Sequence, residues 1–124
     1  MIIGRVGALC GNARHVKEKI WLTDNAFKLT DFTVKFDNRY LTYLLNYKNL
    51  RKLARQAAQP VISNSSLKDL KLDFPPLPEQ QLLGEQLDAL AVETQRLACI
   101  YQKKLDALAE LKKSLLHQAF SGNL

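Results

Sequence analysis

The chain has little proline, and what there is stops early: Pro78 is the last of four in 124 residues, so nothing beyond it interrupts a helix. Cysteine is scarcer still. Cys10 and Cys99 are far apart and at no metal-ligand spacing, which argues for two free thiols over a disulfide scaffold or a zinc site. No apolar run approaches the about 20 residues needed to cross a bilayer, and Met1-Ile2-Ile3-Gly4-Arg5-Val6 meets a charge too soon for a signal peptide, so no membrane association and a cytoplasmic location are expected. Internal repeats and low-complexity tracts are absent. His15 and His117 are widely separated, no His/Cys/Asp cluster has metal spacing, and the serines around Ser65 have a capping role to fill. With neither a carboxylate–metal cluster nor a phosphate loop, a nuclease or NTPase is disfavoured. A binding subunit that is not an enzyme and carries no cofactor or metal of its own is expected.

What is present divides unevenly. Residues 1–60 hold eleven Lys/Arg against four Asp/Glu, whereas residues 61–124 hold seven against eight, so the net charge of +6 belongs wholly to the first half. A basic half joined to a neutral one suggests contact with a polyanion, since each neutralised phosphate releases counterions and adds affinity independent of sequence.

The second half begins at Phe74-Pro75-Pro76-Leu77-Pro78-Glu79-Gln80-Gln81. Pro75 and Pro76 keep the backbone extended, Pro78 suits the first helical position, and Glu79 and Gln80 fall in the first turn, where the dipole favours a carboxylate. One helix is predicted from there to about Ala119, spanning roughly 60 Å, about twice the diameter of a small domain. Leu83, Leu87, Leu90, Thr94, Leu97, Tyr101, Lys104, Leu108, Leu111 and Leu115 alternate by four and three, the a/d rhythm of a coiled coil, with Thr94 and Lys104 imperfect and Ile100 and Leu105 widening the stripe. The stripe is either a core face or a seam between long helices, and its length favours the seam. Gly84 costs about 1 kcal/mol in a helix interior, which suggests that another backbone comes close there.

In the basic half, Ile2 to Val6 and His15 to Leu22 have strand-like content, with the glycine-punctuated Gly7-Ala8-Leu9-Cys10-Gly11-Asn12 between them, so a hairpin with a long loop is predicted. Gly4, Gly7 and Gly11 mimic a nucleotide-binding loop but would precede a strand where that fingerprint opens a helix, so they are taken as turn positions with positive φ. Ala26 to Leu29 and Thr33 to Phe36 suggest two further strands. Asp37 or Asn38 can cap a helix reaching about Ala54, Ser63 to Ser66 can cap a short turn carrying Leu67 and Leu70, and Lys71 to Phe74 makes a final strand. Candidate DNA contacts are the loop residues Asn12, Arg14, His15 and Lys17, with Arg5, Asn25, Arg51 and Arg55. For the last two, with Lys52, a solvated, dipole-matched helix end is favoured slightly over phosphate contact.

At Gln59-Pro60-Val61-Ile62-Ser63, Leu67-Lys68-Asp69-Leu70 and the proline junction, the chain resembles the specificity subunit of Type I restriction-modification enzymes. In that family a target recognition domain ends in a Gln-Pro-x-Ile stretch and a leucine-containing turn. A strand and a Pro-Leu-Pro-x-x-Glu-Gln junction then lead into the long helix of a conserved region. Ile3-Gly4-Arg5-Val6-Gly7 and Trp21-Leu22-Thr23-Asp24-Asn25-Ala26-Phe27 are similar to the second part of such domains, Tyr40-Leu41-Thr42-Tyr43-Leu44-Leu45 to the helix after it, and Leu115 to Gly122 to the family's helix end.

The resemblance implies an α+β architecture: residues 1–77 as the later part of a recognition domain and residues 78–124 as a conserved-region helix in an antiparallel coiled coil. Several dozen further residues normally precede the Ile-Gly-Arg strand, and a full subunit contains two such halves. The implied role is non-catalytic recognition of double-stranded DNA at a bipartite target, positioning methyltransferase and restriction subunits. S-adenosylmethionine belongs to the methyltransferase. The helix would pair with a second copy, as an antiparallel homodimer, or with another specificity half through Leu83, Leu87, Leu90, Leu97, Tyr101, Leu108, Leu111 and Leu115. The alternative is a helical assembly module whose domain no longer reads DNA.

Overall fold

The computed structural model describes residues 1–123. Three short strands, β1 (Ile2–Gly4), β2 (Ala13–Arg14) and β3 (Ala26–Lys28), form an antiparallel sheet in the order β2-β1-β3. Three α-helices follow: α1 (Asn38–Tyr47), α2 (Asn64–Lys68) and α3 (Leu77–Phe120). The chain divides into two compact units, Met1–Asp88 and Ala89–Leu124, so the first three turns of α3 belong with the sheet and the shorter helices. The fold is α+β.

Alternation along the strands sorts the sheet into two faces. Ile3, Ala13 and Phe27 share a row on one face, where Ile3 and Ala13 enter the core with Cys10, Leu41, Leu45, Leu50 and Ile62, and Phe27 packs against it. Ile62, fully buried, is fixed by its backbone N–H donating to the Arg5 carbonyl at 2.9 Å. Ile62, the last residue of the Gln-Pro-Val-Ile segment, is thus the core's plug.

Asp37 caps α1: its Oδ1 accepts from the backbone N–H groups of Arg39 and Tyr40, each at 3.0 Å. Ser63 caps α2 through Ser66 N–H at 3.3 Å. Gly7 and Gly11 have the positive φ of turn residues, but Gly4 lies in β1, where its missing side chain instead makes room for the Leu9 carbonyl. Gly84 meets the close backbone approach its cost implied. A Cβ there would lie 3.0 Å from Asp37 Oδ1 and 3.4 Å from the Tyr40 nitrogen, so the glycine admits the capped end of α1.

Four expected elements differ. Residues 15–22 form no strand: Ile2 pairs with Arg14, so His15 falls opposite Met1 and the residues after it face no strand among those described. Thr33–Phe36 is bent, after Asp31 takes a left-handed φ of 58°. Lys71–Phe74 forms no strand, running into two prolines; Leu70 and Leu72 pack on the core, and Phe74 meets Phe36 with ring centroids 4.5 Å apart. The helix expected to reach Ala54 stops at Tyr47, because Asn49 adopts the left-handed conformation (φ 51°) that terminates helices, and a 3₁₀ turn over Leu50–Leu53 follows.

The start of α3 is tied to α1 by Gln80, the buried polar side chain of this unit, 1% exposed. Its Oε1 accepts from the Asp37 backbone N–H at 3.1 Å, and its Nε2 donates to the Pro75 carbonyl at 2.8 Å. Around this clamp, the Tyr43 hydroxyl donates to Asp88 at 2.8 Å, a bond that, with burial and the carboxylate charge, pushes the phenol pKa up. Arg39 lies within 3.5–3.7 Å of Asp37, Glu85 and Asp88. Burial alone would lower its pKa, but the three carboxylates outweigh that and raise it. These exposed ion pairs add little each; the buried amide is the stronger tie.

The second unit is helical to Phe120 and ends with Gly122 at φ 76° and the Asn123 N–H donating to the Gln118 carbonyl at 2.9 Å. Within it Arg96 pairs with Glu93 at 3.1 Å and Gln102 donates to Asp106 at 2.9 Å. Leu90, Leu97, Tyr101, Leu108, Leu111 and Leu115 are exposed, whereas Leu83 and Leu87 are partly buried within the first unit. Among the described residues no helix is long and apolar enough to cross a membrane.

Replacing Gln80 tests the clamp. Gln80→Leu keeps the volume but strips partners from a part-buried N–H and a part-buried carbonyl, so the chain should lose about 1–3 kcal/mol in urea unfolding. A loss below about 0.5 kcal/mol, the range of an ordinary surface change, would show that the amide is not the tie.

Candidate nucleic-acid interface

The sheet face opposite the core carries the other half of the strand alternation. Ile2 pairs with Arg14 on one side and Lys28 on the other, so the row reads Arg14, Ile2, Lys28 across the three strands. With neighbouring strands about 4.8 Å apart, the two cation-bearing positions stand about 10 Å apart. Neither pairs with a carboxylate among the described residues. Beside them, Asn12, Arg14 and Asn25 line one shallow cleft of about 470 Å³, with Gly4 and Leu9 in its wall. Three of the candidate contacts, separated by up to thirteen residues, are therefore drawn together by the β2-β1-β3 order.

Strand β2, which carries this cleft's edge, has only two residues, and a helix side chain secures it. Asn46 of α1 accepts from the Ala13 N–H at 2.9 Å through Oδ1 and donates to the Ala13 carbonyl at 3.0 Å through Nδ2. An asparagine amide thus takes both backbone groups of Ala13 and fixes its neighbours Asn12 and Arg14. The loop between β1 and β2 is held from the other side, where Arg51 Nη1 donates to the Ala8 carbonyl at 3.4 Å.

The remaining candidates lie elsewhere. Arg5 is on the core-side row, its guanidinium 5.5 Å over the Phe27 ring. His15 and Lys17 line a separate hollow of about 660 Å³ with Lys35, Arg39 and Gln81; His15 Nδ1 is buried there without a hydrogen-bond partner among the described residues. Arg51 and Arg55 line a third cleft, with Gln56 and Pro60. Sequence reasoning missed Lys28, which only the register aligns with Arg14, and Asn46, whose poor helix propensity inside an apolar helix was the available signal. Among the described residues no group of three or more His, Cys, Asp or Glu could hold a metal ion.

Comparison with known proteins gives a consistent family. The model for the Type I restriction modification DNA specificity domain matches residues 1–115. Over 89 residues the chain is 32% identical to the Type I restriction enzyme EcoprrI specificity subunit of Escherichia coli, a stretch covering 71% of this chain and 22% of that protein. The chain thus spans about a fifth of the length of that curated relative.

If Asn46 secures the cleft's edge, Asn46→Ala should destabilise the chain by about 1 kcal/mol and speed hydrogen exchange at the Ala13 amide more than at Ile3. Equal protection of Ala13 in variant and wild type would remove that role.

Proposed function

The chain belongs to the Type I restriction-modification DNA specificity family, and on that premise we propose that it is a non-catalytic DNA-recognition element that places methyltransferase and restriction subunits on a bipartite target. The observation that carries this reading is the grouping of Asn12, Arg14 and Asn25 around one cleft, with Arg14 and Lys28 in one row on the sheet face away from the core. The chemistry divides between them. Asparagine amides offer a donor and an acceptor to a base edge, while Arg14 and Lys28 neutralise phosphates and set the register. Arg51 and the pair His15 and Lys17 line other hollows and are assigned to the sugar-phosphate backbone.

In this reading the long helix serves as the spacer. Leu90, Tyr101 and Leu108 are each at least 60% exposed at coiled-coil spacing, a cost that a second apolar helix would remove. We assign them, with Leu83, Leu87, Leu97, Leu111 and Leu115, to an antiparallel two-fold pair of copies or to another specificity half. An antiparallel pair keeps two basic domains at opposite ends, whereas a parallel pair would crowd them. Leu97, near the helix centre, would lie close to the axis.

Two measurements test the two parts. Arg14→Ala and Lys28→Ala should each weaken binding to duplex DNA irrespective of sequence and reduce the slope of log affinity against log salt by about one. Unchanged slopes in both variants would take this face out of the interface. Leu97→Asp, which puts carboxylates into the apolar seam, should give monomers at micromolar concentration in sedimentation. A wild-type chain that stays monomeric at high concentration, or a fully dimeric variant, would defeat the pairing.

A further inference from the structure

Between β2 and β3 the chain presents Trp21 wholly to solvent, 100% exposed, with Ile20 at 45% and Leu22 at 36% beside it. Scattered apolar residues on a surface are ordinary, but an entire indole with two aliphatic neighbours is the kind of patch that marks a contact. Residues 15–22 have no strand partner among the described residues, and Trp21 is not part of the core cluster. Its position is informative. Trp21, Val16 and Lys19 line a cleft of about 540 Å³ together with Ile2 and Lys28. Ile2 also lines the cleft of Asn12, Arg14 and Asn25. Trp21 therefore stands on the same sheet face as those polar groups, across a single isoleucine.

The charge around it selects the partner. Residues 14–28 carry Arg14, Lys17, Lys19 and Lys28 against Glu18 and Asp24, and the cleft of Trp21 holds Lys19 and Lys28 against Glu18, a positive excess that suits a polyanion. We infer that Trp21 is an apolar anchor of the DNA interface, its flat ring packing on deoxyribose and base edges in a groove while Lys19 and Lys28 hold the flanking phosphates. Aromatic and aliphatic wedges beside basic residues are a general means of gripping nucleic acid, because every nucleotide has an apolar face that tolerates any sequence. This rests on the DNA-recognition reading and adds to it a contact that neither charge nor hydrogen bonding supplies.

Trp21 is the chain's one tryptophan, so emission excited beyond the tyrosine band reports this position alone. Duplex DNA with a randomised segment, titrated into the full chain, should quench that emission in step with binding, as nucleobases in contact with an indole do. Trp21→Ala should weaken binding about tenfold with the salt slope unchanged, since it removes a contact worth roughly one base of stacking but no charge, and Trp21→Phe should keep most of the affinity. The fully exposed side chain makes misfolding of these variants easy to exclude by circular dichroism. Salt-dependent binding with unmoved emission and a wild-type-like Trp21→Ala would overturn the inference and leave the DNA reading standing. A blue shift on adding the methyltransferase subunit, with no response to DNA, would assign the patch to a protein and overturn it as well. No salt-dependent binding by the wild type would remove the DNA reading, and this inference with it.

Discussion

The amide of Gln80 is the constraint on which the first unit's arrangement depends. It accepts from the N–H of Asp37 and donates to the carbonyl of Pro75, so one buried side chain joins the cap of α1 to the extended segment that precedes α3. Both partners are backbone groups that their own local structure leaves unpaired: Asp37 stands outside its helix, and Pro75 lies in a proline-stiffened run with no strand beside it. Gly84, one turn further along α3, lets Asp37 and Tyr40 approach closely enough for this to happen. Removing either partner without replacing it would leave one polar atom of the buried amide unpaired, at the cost of that atom's desolvation.

The small sheet is used on both sides. Its period of two sends Ile3, Ala13 and Phe27 to the core and Ile2, Arg14 and Lys28 to the opposite face. A three-stranded sheet with strands this short gains little from its own ladder, and its rigidity comes from what clamps it. Asn46 grips β2, and Ile62 fills the space behind β1. The result is a clamped sheet whose second row sets the exposed Arg14 and Lys28 on either side of a buried Ile2, the face on which the proposed DNA contact rests.

Much of this was legible in sequence wherever the cause was local. The proline junction and the uninterrupted helix after it, the caps at Asp37 and Ser63, the turn glycines Gly7 and Gly11, and the helix stop at Gly122 all follow from one or a few neighbouring residues. Strand assignments failed where β-propensity lacked a partner, as in residues 15–22, or where prolines removed the donors, as after Lys71. The clamps of Gln80 and Asn46 join residues 43 and 33 positions apart, and no local pattern encodes such a pairing. Likewise, no local pattern tells which polar candidates come together: Asn12, Arg14 and Asn25 line one cleft, Arg5 lies over the Phe27 ring, and Lys28 joins the row of Arg14 only through the register.

The central claim, that duplex DNA lies on the open face of the sheet, is most directly tested by following backbone amide resonances of the chain as duplex DNA is added. The largest shifts should fall at Asn12, Arg14, Asn25 and Lys28 and in the loop around Trp21, with Leu41 and Leu45 of the core nearly unmoved. Shifts confined to residues 89–119, with the sheet face silent, would contradict the account.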